Sequence, residues 1–306
     1  MRLFARFLIL AIVSLPQLAH AVCDPPRCLD VAVPVPRRLR VPESTVRVLL
    51  PAGYFHGRAR YPVLYLLHGA GDTYRTWTDD TDVQAFSADF PLIIVMPDGG
   101  KDAEAGFYSD WLDGSRQWET FHTRVLRRYV DRKFRTLKGW RHRAVAGLSM
   151  GGFGAMSYAG RHPRLYRAAA SFSGALDTLH PNPKAPFIYT LHILQVGAWG
   201  DPVEHADVWH AHNPTDLAAK LRRTALFIAT GNGMRGGPAG DLDDPLAYVI
   251  EMVVGTMSRH FTTALDAAGV RHTDDFYGAG YHGWPYWQRE LHWALPQIMA
   301  VIEPRR

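Results

Sequence analysis

The chain has 306 residues, a formal charge of +5 to which Arg2 and Arg6 contribute, 47% hydrophobic residues and only two cysteines. That length is ample to bury the core of an α/β enzyme. The basic residues are scattered apart from Arg37-Arg38-Leu39-Arg40 and the Arg124 to Lys138 segment, so no nucleic-acid stripe is present. Cys23 and Cys28 are spaced to close a small loop in an oxidising compartment, and no further cysteine is left for thiol chemistry.

The chain begins with Arg2 and Arg6, the apolar run Phe7 to Leu15, and Ala19-His20-Ala21. A charged start, a short apolar core and a small-x-small site are the three parts of a secretory signal, so residues 1–21 are expected to be removed before Val22. The run is too short for a membrane span, and no later stretch is long and apolar enough to predict stable membrane insertion. His20-Ala21-Val22 does not suit lipid attachment at Cys23.

Residues 31–50 read as an antiparallel edge. Pro62 to Leu67 is continuously apolar, as expected of a strand buried on both faces, and ends in His68-Gly69-Ala70-Gly71-Asp72. Thr81 to Ala88 is an expected helix, Leu92 to Met96 another buried strand, and Trp118 to Arg135 a long amphipathic helix. Arg143-Ala144-Val145-Ala146 then leads into Gly147-Leu148-Ser149-Met150-Gly151-Gly152 and a run of small residues. That is strand, sharp turn and helix, with Gly-x-Ser-x-Gly at the turn. A serine at such an apex projects its hydroxyl above the sheet, and Gly147 and Gly151 leave room where side chains would collide. The N–H of Met150, at the helix start, faces the same space as an oxyanion donor.

Ala168 to Ser173 is a further strand. Residues 177–215 show no clear period and are expected to form a long irregular lid or wall over the site. Thr224 to Ala229 is a strand, followed by Gly231-Asn232-Gly233, a helix from Pro245 to Ala268, a short strand near Asp275-Phe276-Tyr277, and a closing helix from about Pro285 to Ile302. Strands alternating with helices predict one α/β domain over residues 22–306, with a central, mostly parallel sheet flanked by helices.

A nucleophilic serine needs a base, and the base an orienting acid. His282, in the turn before the closing helix, lies at the sheet edge that carries Ser149. His205, His210 and His212 have no metal-site spacing, so no metal or cofactor is expected. For the acid, the residues alone leave Asp241, Asp243 and Asp244 open beside Glu251, which by itself reads as an exposed helix glutamate. The loop after the early strand offers the N–H of Ala70 as the second oxyanion donor.

Taken together, Phe107-Tyr108-Ser109-Asp110-Trp111, Trp118-Glu119-Thr120-Phe121, Gly147 to Gly152, Trp199-Gly200-Asp201-Pro202, Asn213-Pro214-Thr215, Gly231-Asn232-Gly233 and His282-Gly283-Trp284 with Tyr286-Trp287 resemble the esterase D-type branch of the α/β hydrolases. Within it they resemble the secreted mycolyltransferases of the antigen 85 family. The resemblance implies an α/β-hydrolase fold, Glu251 as the acid, Ala70 and Met150 as donors, and substrate contact at His68, Trp111 and Trp284. His68 and Gly71 stand where that family carries an aspartate and an arginine that hold its trehalose acceptor. The loss of those charge-assisted bonds favours hydrolysis over acyl transfer. The expectation is a secreted serine carboxylic-ester hydrolase acting on a small-molecule, lipid or carbohydrate ester. Its rivals are an acyltransferase and a non-catalytic binding protein on the same fold.

Overall fold

In the computed structural model, residues 23–100, 105–179 and 197–303 are described; the expected export signal and the central part of the 177–215 segment lie outside them. Four apolar runs form the centre of the sheet: β3 (Val63–Leu67), β4 (Ile93–Pro97), β5 (Arg143–Leu148) and β6 (Ala168–Phe172), each buried along its whole length. Runs without polar alternation need cover on both faces, and they have it. Tyr65, Val145 and Phe153 belong to one core cluster, whereas Leu64, Leu66, Ala144 and Ala146 join Leu291, Leu295 and Ile298 of the closing helix in another.

Among the described residues the sheet has eight strands; with β1 (Cys28–Ala32), β2 (Thr45–Leu49), β7 (Ala225–Thr230) and β8 (Thr273–Phe276), their order is β1-β2-β4-β3-β5-β6-β7-β8. An antiparallel edge forms, with its first strand, β1, starting three residues before the expected 31–50 stretch and pairing with β2; β2 also runs antiparallel to β4. All remaining pairs, out to β7 and β8, are parallel. β5 therefore lies between β3 and β6, and its carboxyl end opens at the middle of the sheet. Open parallel sheets bind ligands along that edge. A disulfide joins Cys23 to Cys28 beside β1.

Three expectations change. The helix expected over Thr81 to Ala88 is a short turn, Val83–Phe86, continued by a 3₁₀ turn, Ser87–Asp89. The helix beginning at Trp118 ends at Lys133 and widens to a π-helix over Phe121–Leu126. In the 177–215 segment, Ala206–His212 is helical, and Trp199 and Trp209 are fully buried rather than spread over the site. The Trp199 ring lies 5.4 Å from Phe153 and 5.1 Å from Trp209, so this part is a core wall. Its apolar residues are widely spaced aromatics, which leave no helical or strand period to read.

Candidate active site

Ser149 stands between β5 and the helix Met150–Arg161 with φ 51° and ψ −117°. This left-handed strain is held from both sides: the Ser149 N–H donates to the Phe172 carbonyl at 2.8 Å, and the Ser149 carbonyl accepts from Phe153 N–H at 3.1 Å. The flanking glycines are obligatory for space. A Cβ on Gly147 would stand 2.5 Å from the Gly151 carbonyl carbon, and one on Gly151 would stand 2.6 Å from the carbonyl oxygens of Leu67 and His68. The turn can therefore press against the end of β3, which brings the Gly69-Ala70 loop beside Ser149.

His282 reaches the same place from the other end of the chain. Its N–H donates to the Ala247 carbonyl at 3.1 Å, which ties the turn before the closing helix (Trp284–Ile302) to the start of the helix Pro245–Ala267. The imidazole Nε2 lies 2.9 Å from Ser149 Oγ, and Nδ1 lies 2.9 Å from Glu251 Oε2. Glu251 is completely buried on the inner face of its helix. Its Oε1 accepts from Gly231 N–H at 2.6 Å, Ser173 Oγ at 2.9 Å and Thr230 Oγ1 at 3.0 Å. Burial pushes its pKa up, but the bond to and charge of His282, with the Gly231 and Ser173 donors, outweigh burial and hold Glu251 below the usual carboxylate range. An ionised carboxylate against Nδ1 fixes the proton there and leaves Nε2 free to accept from the serine.

Beside Ser149 lies a cavity of about 300 Å³ walled by Ala70, Phe107, Met150, Ile250, Val254, Trp284 and Trp287, with Asp72 also on its surface. Phe107 and Tyr108 take left-handed φ of 43° and 48°. Tyr108 is wedged against Gly99 and Gly154, where a Cβ on either would strike its ring at 2.6 Å, and its hydroxyl donates to the His68 carbonyl at 2.9 Å. The strained pair thus braces the end of β3 while turning Phe107 into the cavity.

The family model for esterases matches residues 42–298. The chain belongs to the esterase family. Esterase Rv1288 of Mycobacterium tuberculosis is 36% identical to it over 244 residues, which are 74% of this chain and 50% of that protein. The chain thus spans about half the length of that relative. Diacylglycerol acyltransferase/mycolyltransferase Ag85A of Mycobacterium leprae is 29% identical over 283 residues, covering 86% of this chain and 82% of the relative. Among solved structures, a ferulic acid esterase superposes with a TM-score of 0.64 at 25% identity, over 84% of this chain and 92% of that one. Mycobacterium tuberculosis MPT51 (FbpC1) superposes with a TM-score of 0.69 at 24% identity, over 90% and 99%, a likeness of α/β-hydrolase fold.

Within this esterase-family chain the structure brings Ser149, His282 and Glu251 together, with Ala70 and Met150 on the cavity beside them. The open alternatives for the acid lie elsewhere and are exposed: Asp241 accepts from Gly236 N–H at 2.8 Å, Asp244 caps its helix by accepting from Leu246 N–H at 2.9 Å, and Asp243 faces solvent. Of the three residues expected to touch substrate, Trp284 is on the cavity wall. His68 is wholly buried: Nε2 accepts from Gly99 N–H at 2.8 Å and Nδ1 bonds the Gly69 carbonyl at 2.7 Å, so its ring braces the loop instead. Trp111 bonds the Gly106 carbonyl at 3.3 Å, stacks under Arg116 and is not on the wall. His205, His210 and His212 do not converge, since His210 pairs with Asp216 and His212 stacks on Trp199. Among the described residues no group of three or more His, Cys, Asp and Glu is arranged to hold a metal ion, and no helix is long and apolar enough to cross a membrane. Sequence reasoning missed Asp72, Ser173 and Thr230. The last two are ordinary strand-end hydroxyls whose partner is remote in sequence.

Proposed function

We propose that this chain is a secreted serine carboxylic-ester hydrolase with Ser149 as nucleophile, His282 as general base and acid, and Glu251 as the orienting carboxylate. The unbroken chain of 2.9 Å contacts from Ser149 through His282 to Glu251 carries this reading. Ser149 Oγ attacks the ester carbonyl carbon while His282 Nε2 takes its proton. The carbonyl π electrons move to oxygen, where the N–H groups of Ala70 and Met150 donate to the new charge. Each such donor is typically worth about 10²–10³ in rate. Collapse of the tetrahedral species expels the alcohol, which takes the proton from His282, and leaves an acyl-enzyme. Water, deprotonated by His282, then releases the acid.

The cavity is mostly apolar, and its volume lies near the lower end of the roughly 300–1,000 Å³ of ligand pockets, which suits a compact acyl or aryl group. Acyl transfer shares the first half-reaction and differs in admitting an alcohol where hydrolysis admits water. The similarity to diacylglycerol acyltransferase/mycolyltransferase Ag85A favours that second reading. Hydrolysis is preferred because buried His68 and side-chain-less Gly71 offer no charged hold for an acceptor. Export rests on residues 1–21, and the Cys23–Cys28 bridge agrees with an oxidising destination.

The test is labelling of the exported protein with a fluorophosphonate, read by intact mass, followed by short acyl esters with and without sugar alcohols. One adduct on Ser149, absent in Ser149→Ala, is expected on a chain beginning at Val22, with free acid as product. Acylated sugar would make the protein a transferase. No adduct on folded protein would overturn the catalytic reading.

A further inference from the structure

The cavity beside Ser149 carries one charged side chain for which the proposed chemistry has no use. Asp72 lies on a wall otherwise built from groups such as Phe107, Leu148, Ile250, Val254 and Trp284. Its Oδ2 accepts from Gly69 N–H at 3.0 Å, and among the described residues no lysine, arginine or histidine forms an ion pair with it. This is unlike Asp30, Asp131 and Asp275, each of which meets an arginine within 3.1 Å. Burial lifts the Asp72 pKa above its ordinary value, against the opposing pull of His68, the Gly69 N–H and His282, with Asp80 adding to the rise. An unpaired carboxylate in apolar surroundings is costly to keep. The Gly69 bond uses one of its oxygens, and the side chain still contributes to the surface that a bound ester must meet.

Building on the serine-esterase reading, we infer that Asp72 determines specificity: its carboxylate rejects esters that carry negative charge near the carbonyl and admits neutral or cationic ones. Two like charges roughly 6–8 Å apart at an effective dielectric of about 20 repel strongly enough to cut kcat/KM on the order of ten- to a hundredfold. Salt weakens the effect where solvent reaches the pair. The substrate class is thereby narrowed to neutral and cationic esters, including hydroxyl-bearing ones, since an ionised carboxylate accepts hydrogen bonds and donates none. Carboxylated and phosphorylated esters are excluded.

Matched esters test this at about pH 8, where an aspartate is ionised. On the acyl side they are p-nitrophenyl hexanoate, its 6-carboxylate analogue (the adipate half ester) and the 6-amino analogue. On the alcohol side they are phenyl acetates with no charge, a carboxylate or a trimethylammonium group. The readout is the ratio of kcat/KM for neutral over anionic ester, taken within each protein so that any general loss from disturbing the Gly69 bond cancels. The wild-type ratio should be about tenfold or more on at least one side and fall to within about threefold in Asp72→Asn. It should also shrink with added NaCl in the wild type, a check that does not depend on the variant folding. Equal turnover of anionic and neutral esters by wild type, a ratio unchanged in Asp72→Asn on both sides, or a salt-independent ratio would each overturn the inference. Failure to hydrolyse any ester, with no adduct on Ser149, would instead bring down the serine-esterase reading and this inference with it.

Discussion

Glu251 shows how much one buried atom pair decides. Its Oε1 receives four donors, from Gly231, Ser173, Thr230 and, at 3.4 Å, Tyr277, and its Oε2 faces His282 Nδ1. In Glu251→Gln the amide oxygen must stay with these donors, so the NH₂ group turns toward Nδ1. That forces the imidazole proton onto Nε2, the tautomer that cannot accept from Ser149. The expected loss in kcat is about 10³–10⁴, with the fold intact by circular dichroism. Asp243→Asn, on an exposed loop, should stay within about twofold of wild type. The reverse pattern would move the acid to that loop. Ser149 and His282 were legible because their local contexts are distinctive. Glu251 was not, since a mid-helix glutamate looks solvent-facing until Thr230 at the end of β7, Gly231 just after it and Ser173 just after β6 are folded against it. Resemblance, rather than pattern, singled it out. His68 misled for the opposite reason: a histidine at the carboxyl edge of a buried strand reads as a site residue, yet this one turns inward and spends both nitrogens on backbone.

At the scale of elements, the turn around Ser149 works because β5, the following helix and β3 approach more closely than side chains permit. Gly147→Ala would place a methyl group 2.5 Å from the Gly151 backbone and 2.8 Å from Leu67 Cβ. Backbone cannot rotate away as a side-chain tip can, so the helix start or the end of β3 must shift. Overpacking of this kind costs about 1–3 kcal/mol. Gly147→Ala should lower the melting temperature by several degrees and slow fluorophosphonate labelling at least tenfold. Unchanged labelling would mean that the turn is softer than its contacts imply. The parallel strands were legible as unbroken apolar runs. The π-helix over Phe121–Leu126 was not, because it changes the hydrogen-bond register without altering composition. The buried wall formed by Trp199, Trp209 and the helix Ala206–His212 was hidden for a related reason: aromatics can fill space at spacings that match neither strand nor helix.

Across the whole molecule, three elements meet at one charged junction. Glu119 accepts from Arg161 at 3.0 Å and lies 2.6 Å from His162 Nε2, while Arg161 also donates to the Ala211 carbonyl beside His212. Burial opposes the charge on Glu119, but His162 and Arg161 more than compensate and bring its pKa from 4.5 down to about 2. Burial, with the Arg161 charge, lowers His212 from 6.5 to about 4, and burial lowers His122 to about 3. In all three the folded pKa lies below the unfolded one, so the unfolded chain binds more protons and stability rises with pH. The two histidine contributions are complete above about pH 6.5 and are lost as pH falls toward 4 and 3; that of Glu119 is complete above about 4.5 and is lost toward 2. Glu290 has the opposite sign. It is wholly buried, and burial together with the Glu251 charge, against the opposing pull of Tyr277 and Arg289, holds its pKa well above 4.5. Its contribution is complete below about 4.5 and is lost as pH rises toward its folded value. Thermal melts should therefore fall steadily from pH 6.5 to pH 4 in the wild type. Glu290→Gln, which has no proton to lose, should melt higher than wild type at pH 7, with the difference shrinking to little at pH 4. In Glu290→Gln, where the opposing carboxyl is gone, a melting temperature that is flat across this acid range would contradict the neutral burial of His122 and His212. A Glu290→Gln gain that persists at pH 4 would trace to packing instead of protonation.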